Sequence, residues 1–269
     1  MKVACVQLNS GTDVSTNIAV TTTMIRNAAA AGSTLITTPE MTSLMNHAPG
    51  ALYANAKPEA ADPAVNAFRA LAAELRIWLL IGSLHIREEG GMCANRSFLI
   101  GPKGEIAARY DKIHRFDVQL SETNVHRESR DFTAGDSAVV AALRDTRLGM
   151  TVCYDVRFPH LHRDLAKAGA EILTIPAAFN SVSGAAHWHV LLRARAIETG
   201  CFVIAPAQCG THQDGRKTFG HSLIISPWGA IIAEAGDEPG VISAELDLDD
   251  VAAARAKIPA LTHDMPYTL

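Results

Sequence analysis

Short apolar, β-branched runs recur along this chain, and what separates them changes partway. The early runs, Lys2–Leu8, Thr34–Glu40 and Trp78–Ser83, are spaced by helical patterns. One such pattern covers Asn17–Ala31, with Ile18, Met24, Ile25 and Ala28 near a common face. Another opens at Asp62-Pro63, a capping carboxylate before a first-turn proline, and carries Val65, Phe68, Leu71, Ala72 and Leu75 as its stripe. Further on, hairpin turns take over at Gly101-Pro102-Lys103-Gly104 and Pro227-Trp228-Gly229. Leu161–Gly169, Ala185–Thr199 and Val251–Ile258 read as the remaining helices, and Ile172–Pro176, Phe202–Ala205 and Gly240–Leu246 as strands. Strands joined first by helices and then by hairpins predict an α/β chain with two β-sheets and helices outside them. At 269 residues and 48% hydrophobic composition the chain has material for one large core or two small domains. It shows no repeat period, low-complexity tract or linker, so residues 1–269 are expected to form a single domain.

Three of these runs end on reactive groups. Leu148–Pro159 reads LGMTVCYDVRFP: a buried-strand pattern that stops at Cys153-Tyr154-Asp155 and resumes as a helix near Pro159, with Leu161, Leu165 and Ala168 at helical spacing. A cysteine alone in such a place packs as a small hydrophobe in most proteins. Here, however, Thr34–Glu40 ends on a carboxylate and Ile106–Lys112 on an amine. Ligands of α/β sheets bind at the carboxyl ends of strands. A thiol at a strand-to-helix elbow, a carboxylate and an ammonium supply the nucleophile, the proton acceptor and the oxyanion partner that attack on an amide requires.

With these three motifs in this order, the chain resembles the carbon–nitrogen hydrolase (nitrilase) superfamily over nearly its whole length. The resemblance implies a Glu-Lys-Cys triad of Glu40, Lys112 and Cys153, and a four-layer α-β-β-α sandwich. It also implies pairing of two subunits through sheet-flanking helices, here Leu161–Gly169 and Ala185–Thr199. Members often carry a second glutamate after the lysine, which points to Glu128 in His126-Arg127-Glu128-Ser129, with Glu122 as the competing choice. The segments AFNSVSGAAHWHVLLRARAIETGCFVIAPAQCGTH and FGHSLIISPWG are similar to the Nit branch, and within it to amidases of deaminated glutathione. Two stretches depart from the family pattern: the tail His263–Leu269, and Met41-Thr42-Ser43 after the glutamate. Both fall where pocket or dimer contacts are expected.

The residue types dictate a reaction. Glu40 takes the proton of Cys153 as sulfur attacks a carboxamide carbon. Lys112 and the Tyr154 backbone N–H face the oxyanion, and ammonia leaves with the proton from Glu40. Water, activated by Glu40, then cleaves the thioester. Tyr154, Arg157, Phe158 and Asn180 are the expected substrate-binding residues, although an Asn in the place of Asn180 serves equally well as a turn cap. Arg127, Arg130, Arg157, Arg195 and Arg216 are all able to pair with a substrate carboxylate. Met41–Lys57, weakly periodic and holding Pro49-Gly50, reads as a loop or short helical cover over a cleft. Ile113–Asp136 reads as an irregular polar loop of functional length.

Other classes of function fit poorly. A formal charge of −4 gives no nucleic-acid footprint. No apolar stretch approaches the ~20 residues of a membrane span. Lys2 is followed by a short strand-like run, so no secretory leader is expected. Five scattered cysteines suit a reducing cytoplasm better than a disulfide framework. His160-x-His162 and His187-x-His189 lie two apart on helices and so face different ways, and no metal or other cofactor is expected. The expected partners are a small amide substrate and a second copy of the chain. The rival readings are an omega-amidase on 2-oxoglutaramate or 2-oxosuccinamate, an N-carbamoyl amino-acid hydrolase, a nitrilase, and a silent scaffold of the same fold.

Overall fold

The computed structural model describes residues 1–119, 122 and 125–268. Two six-stranded sheets form its centre. The first has the order β16-β1-β2-β3-β4-β5, built from Gly240–Glu245, Lys2–Gln7, Leu35–Thr37, Trp78–Arg87, Cys93–Ile100 and Ile106–Asp111. The second has the order β15-β14-β11-β10-β9-β8, built from Ile231–Glu234, Leu223–Ile225, Phe202–Ala205, Ile172–Thr174, Thr146–Met150 and Val139–Leu143. β1, β2 and β3 run parallel, as do β9, β10 and β11, and antiparallel strands flank each trio.

Strand alternation sorts side chains between layers. Val3, Cys5, Leu35, Leu80, Leu99 and Tyr110 of the first sheet pack in one cluster with Leu148, Met150, Leu173 and Val203 of the second. Their neighbours Ala4, Val6, Ile36, Leu79, Ile81 and Phe98 join a separate cluster under α1 (Val14–Ala30) and α3 (Pro63–Leu75). On the far side, α4 (Pro159–Lys167) and α5 (Ser181–Thr199) cover the second sheet with Leu161, Leu165, Trp188 and Leu192. The result is the expected α-β-β-α sandwich. Each large apolar side chain buried in it contributes about 1.5–3 kcal/mol before conformational entropy is set against it.

Local signals place the helix ends. Asp62 accepts from the N–H groups of Ala64 and Val65, with Pro63 behind it, as its sequence position indicated. α1 starts earlier than expected because Asp13 caps it through the Thr16 N–H. Its buried face is Asn17, Thr21, Ile25 and Ala28, not the Ile18–Met24 line. Asn17 is inside because it bonds Gly11 O and Ser43 O, a need that hydropathy does not register. In α4 the buried residues are Leu161, His162, Leu165 and Ala166, while Ala168 is an exposed cap.

The expected irregular loop 113–136 is corrected in part. β6 (Asp117–Gln119) and β7 (Val125–Arg127) pair as a small hairpin, and a 3-10 turn over Glu128–Arg130 follows. Residues 120, 121, 123 and 124 of that stretch, and Leu269 of the tail, lie outside the described residues. The stretch 41–57 does carry a short helix, α2 (Ala51–Asn55), as a cover. Gly82 in β3 marks where the layers meet. A Cβ there would collide with the Thr38 carbonyl and the Pro176 ring, so only glycine lets these strand ends approach so closely.

Candidate active site

Strand direction brings the three reactive groups to one edge. β2 and β3 are parallel, and β5 runs the same way because two antiparallel pairings separate it from β3. Glu40, three residues beyond β2, and Lys112, one beyond β5, therefore leave the first sheet on the same side. β9 delivers Cys153 from the second sheet. The Cys153 N–H donates to Pro176 O at 2.9 Å, and its φ of +50° places it in the left-handed region. This is the elbow expected of LGMTVCYD, held in a strained backbone conformation and continued by a 3-10 turn over Cys153–Arg157. No described residue accepts from the Tyr154 N–H.

Lys112 and Glu40 are almost fully buried, at 3% and 2% exposure, so their charges must answer one another. Lys112 Nζ donates to Glu40 Oε1 at 2.9 Å and to Glu128 Oε1 and Oε2 at 3.1 and 3.0 Å. The second oxygen of Glu40 accepts from the Ala178 N–H at 2.9 Å. Glu128 Oε2 accepts from the Phe116 N–H at 2.5 Å. Of the two glutamates weighed in the sequence, Glu122 is exposed and Glu128 is the one that reaches Lys112. Asn95 Nδ2 bridges both carboxylates, at 3.0 Å from each.

The electrostatics follow from this packing. Burial pushes Glu40 up, but Lys112 beside it outweighs that effect and holds the carboxyl at about 2. Burial acts against the Lys112 ammonium, yet Glu128 and Glu40 drive its pKa well above the usual value. The Cys153 thiol goes up strongly, through burial and then through the neighbouring Glu40 charge. The resting arrangement is thus an ionised carboxylate, an ammonium and a neutral thiol. The carboxyl pKa raised by enclosure that would have suited a general base is not what this packing produces.

These groups border one cavity of about 900 Å³. Met41, His47, Leu52 and Tyr53 of the cover and His126, Arg127 and Arg130 from the hairpin side complete its mouth. Tyr154 is in its wall, as expected, together with Phe179 and Asn180. Asn180 spends its Oδ1 on the Val182 N–H as the cap of α5, so only its amide nitrogen is spare.

Arg157 and Phe158 are corrected: neither borders the cavity. The 3-10 turn carries them behind its wall. Arg157 reaches His187 and lies 5.2 Å from the Phe179 ring centre, while Phe158 stacks on His114 with ring centres 3.5 Å apart. Arg195 does not border it either: it is buried, bonding Val156 O and Glu198. Of the five arginines, Arg127, Arg130 and Arg216 line the cavity.

Several supporting residues gave no signal of their own in the sequence. Asn95 is a polar residue in a buried strand, a hint open to a reader who asks why it is tolerated. Gln208 donates to Glu40 O and Met41 O at 3.1 and 3.2 Å and fixes the backbone around the carboxylate. Asp155, fully buried, accepts from Val152 N, Tyr110 Oη, His114 N and His114 Nδ1 at 2.6–3.1 Å. It ties the lysine strand to the cysteine elbow. Outside the cavity, His189, His221 and Glu234 gather three metal-type donors within 4.8 Å of one another. The two imidazoles already bond one Glu234 oxygen, at 2.9 and 3.1 Å. The cluster joins α5, the segment just before β14, and β15, so the His187-x-His189 spacing gave no sign of it.

Comparison with known proteins agrees with this architecture. A family model described as carbon-nitrogen hydrolase matches residues 2–256. The chain is similar to the deaminated glutathione amidase of Synechocystis, 43% identical over 197 residues and 72% of each chain. It is similar to the human deaminated glutathione amidase, 37% identical over 98% of this chain and 82% of that one. The NitFhit protein of C. elegans superimposes with a TM-score of 0.91 at 32% identity, over 98% of this chain and 64% of the longer one.

Proposed function

Because this chain belongs to the carbon–nitrogen hydrolase family and is a hydrolase of amides, we propose that Cys153, Glu40, Lys112 and Glu128 carry out the reaction through a thioester on Cys153, and that the substrate is a small anionic amide, deaminated glutathione above all. The observation that carries this reading is the buried Glu40–Lys112 pair beside the Cys153 thiol in one wall of one cavity.

Proton transfer from a thiol pushed well up to a carboxylate held at about 2 is steeply uphill on its own. It therefore accompanies C–S bond formation. As the carbonyl oxygen gains charge beside Lys112 and the Tyr154 N–H, the ammonium divides its attraction between Glu40 and the oxyanion, and Glu40 becomes a stronger base at that moment. Glu128 keeps Lys112 charged and aimed throughout. Glu40 then returns the proton to the leaving nitrogen and activates the water that frees the acid. Deaminated glutathione has no primary carboxamide, so with that substrate the leaving group is the amine of a cysteinylglycine moiety and not ammonia, which amends the sequence expectation. Names of relatives and the cavity's volume of about 900 Å³ favour this longer substrate over 2-oxoglutaramate.

We further take residues 1–269 as one hydrolase unit that works as a homodimer. Val182, Ala186, Val190 and Ile197 form an exposed stripe at helical spacing along α5, which a second copy would cover. Five buried, unpaired cysteines favour a reducing compartment such as the cytoplasm. No helix among the described residues is long and apolar enough to cross a membrane.

The test is a product-release panel of deaminated glutathione, 2-oxoglutaramate, 2-oxosuccinamate, nitriles and N-carbamoyl amino acids. Deaminated glutathione is expected to lead. Cys153→Ala is expected to lower kcat by about four orders of magnitude or more while the fold stays intact. Turnover that survives in this variant, or a quenched enzyme without an acyl adduct by mass spectrometry, removes Cys153 as the nucleophile.

A further inference from the structure

Arg216 stands out among the cationic groups of the cavity. It is half-buried, it lines the same space as Cys153, and among the described residues no carboxylate lies within ion-pair distance of it. Its NH1 rests on the sulfurs of Met41 and Met45 at 3.4 and 3.2 Å, and its NH2 meets His47 Nδ1 at 3.2 Å. Thioethers are weak acceptors. Asp214 is near, but its oxygens accept from the backbone N–H groups of His47 and Arg216 itself, not from the guanidinium. A half-buried guanidinium left with such partners is costly unless something else completes it.

A second observation points the same way. His85, in β3, lines the cavity, and both its ring nitrogens are buried without a partner. His126 in the opposite hairpin has an unpartnered Nε2 in the same wall. Native interiors satisfy almost all such atoms. The field of Arg216 reaches His85, His47 and His126, so the four form one neighbourhood. Three orphan imidazole nitrogens and a guanidinium with spare donors make a receptor for a planar anion.

We propose that Arg216, with His85 beside it, is the residue pair that receives a carboxylate of the substrate and so sets the preference for anionic amides. This rests on the hydrolase reading above and names its specificity element. It also ranks the arginines: Arg157 and Arg195 do not border the cavity, Arg127 and Arg130 are exposed, and Arg216 is the one of the three lining arginines that is partly withdrawn from solvent. A fork of parallel N–H groups suits a carboxylate, and the neutral His85 ring adds one further donor.

The experiment compares acids with their esters. Deaminated glutathione and 2-oxoglutaramate are each assayed against their own methyl ester, in the wild type and in Arg216→Gln, Arg216→Lys and His85→Asn. The wild type is expected to favour the acid in kcat/KM, and Arg216→Gln to shrink that acid-to-ester ratio by about 100-fold. Arg216→Lys keeps the charge but loses the fork, and is expected to fall between. His85→Asn is expected to shrink the ratio by about tenfold. An unchanged ratio in Arg216→Gln overturns the assignment, as does an equal loss on acid and ester, which would mark a merely structural role. Binding is read separately by calorimetry of 2-oxoglutarate with Cys153→Ala protein, with and without Arg216→Gln. Equal affinity in the two proteins overturns the receptor. Absence of turnover by the wild type on every amide would instead overturn the hydrolase assignment and leave the calorimetric result to decide the receptor by itself.

Discussion

At the scale of the residue, one amide nitrogen governs the balance of the site. Asn95 Nδ2 donates to Glu40 and Glu128 together, at 3.0 Å each, and stabilises both as anions. Hydrogen bonds to charged groups are worth about 1.5–3 kcal/mol. Asn95→Ala is therefore expected to lower kcat by about 10- to 150-fold, with the acid limb of the kcat/KM profile displaced to higher pH. The sign follows from the bond lost: without that donor the Glu40 carboxylate is less favoured over the acid, and its pKa rises. An acid limb that stays in place would show that Asn95 only fills space. The residues that carry the proposed chemistry were legible because each ends its own strand, so a reader of Thr34–Glu40, Ile106–Lys112 and LGMTVCYD meets them at a boundary. Asn95, Gln208 and the Ala178 N–H were not, because their partners lie far off in the sequence and only strand order brings them near. Arg157 was misplaced for the opposite reason. Closeness in sequence to Cys153 suggested closeness in space, and a single 3-10 turn separates the two.

At the scale of the element, most of the fold could be read from period and punctuation, while the loops could not. Helices opened by Asp62-Pro63 and closed by Gly200 fall where their caps put them. The hairpin of β6 and β7 escaped notice since its strands are three residues each, polar, and too short to show alternation. α5 is the element whose two faces differ most in what they ask for. Trp188, Leu192 and Ala196 are spent on the second sheet, while Val182, Val190 and Ile197 remain 73%, 68% and 53% exposed. Exposed valine and isoleucine at helical spacing lower the helix's own solubility and call for a cover. Val190→Asp would place a charge in the middle of that stripe without touching the core. It is expected to convert a species of twice the chain mass into single chains by light scattering, with an unchanged circular dichroism spectrum. A wild-type chain that is already monomeric at assay concentration would remove the dimer.

At the scale of the whole molecule, the interior sets how the protein meets acid. Burial holds His162, which is wholly inside, down at about 4 against an ordinary 6.5, and burial does the same to His85. Between these values an unfolded chain binds protons that the folded one refuses, so stability falls as pH drops from about 6.5 towards 4 and returns as it rises. For His162 alone the loss across that window is about 3 kcal/mol, a large share of a typical 5–15 kcal/mol. Glu40 works in a different window: its pKa is depressed, so its contribution is complete above its ordinary 4.5 and is lost only as pH falls towards 2. Mild acid should therefore weaken the fold while the buried carboxylate is still ionised. His162→Asn retains a donor for Phe158 O, the partner of His162 Nδ1 at 3.1 Å, and removes the titrating ring. Urea unfolding measured from pH 7 to 4.5 is expected to show a steep decline in the wild type and a visibly shallower one in the variant, whatever the variant costs at neutral pH. Two parallel curves would mean that the ring meets its proton as freely inside the fold as outside it, and that the acid response originates elsewhere.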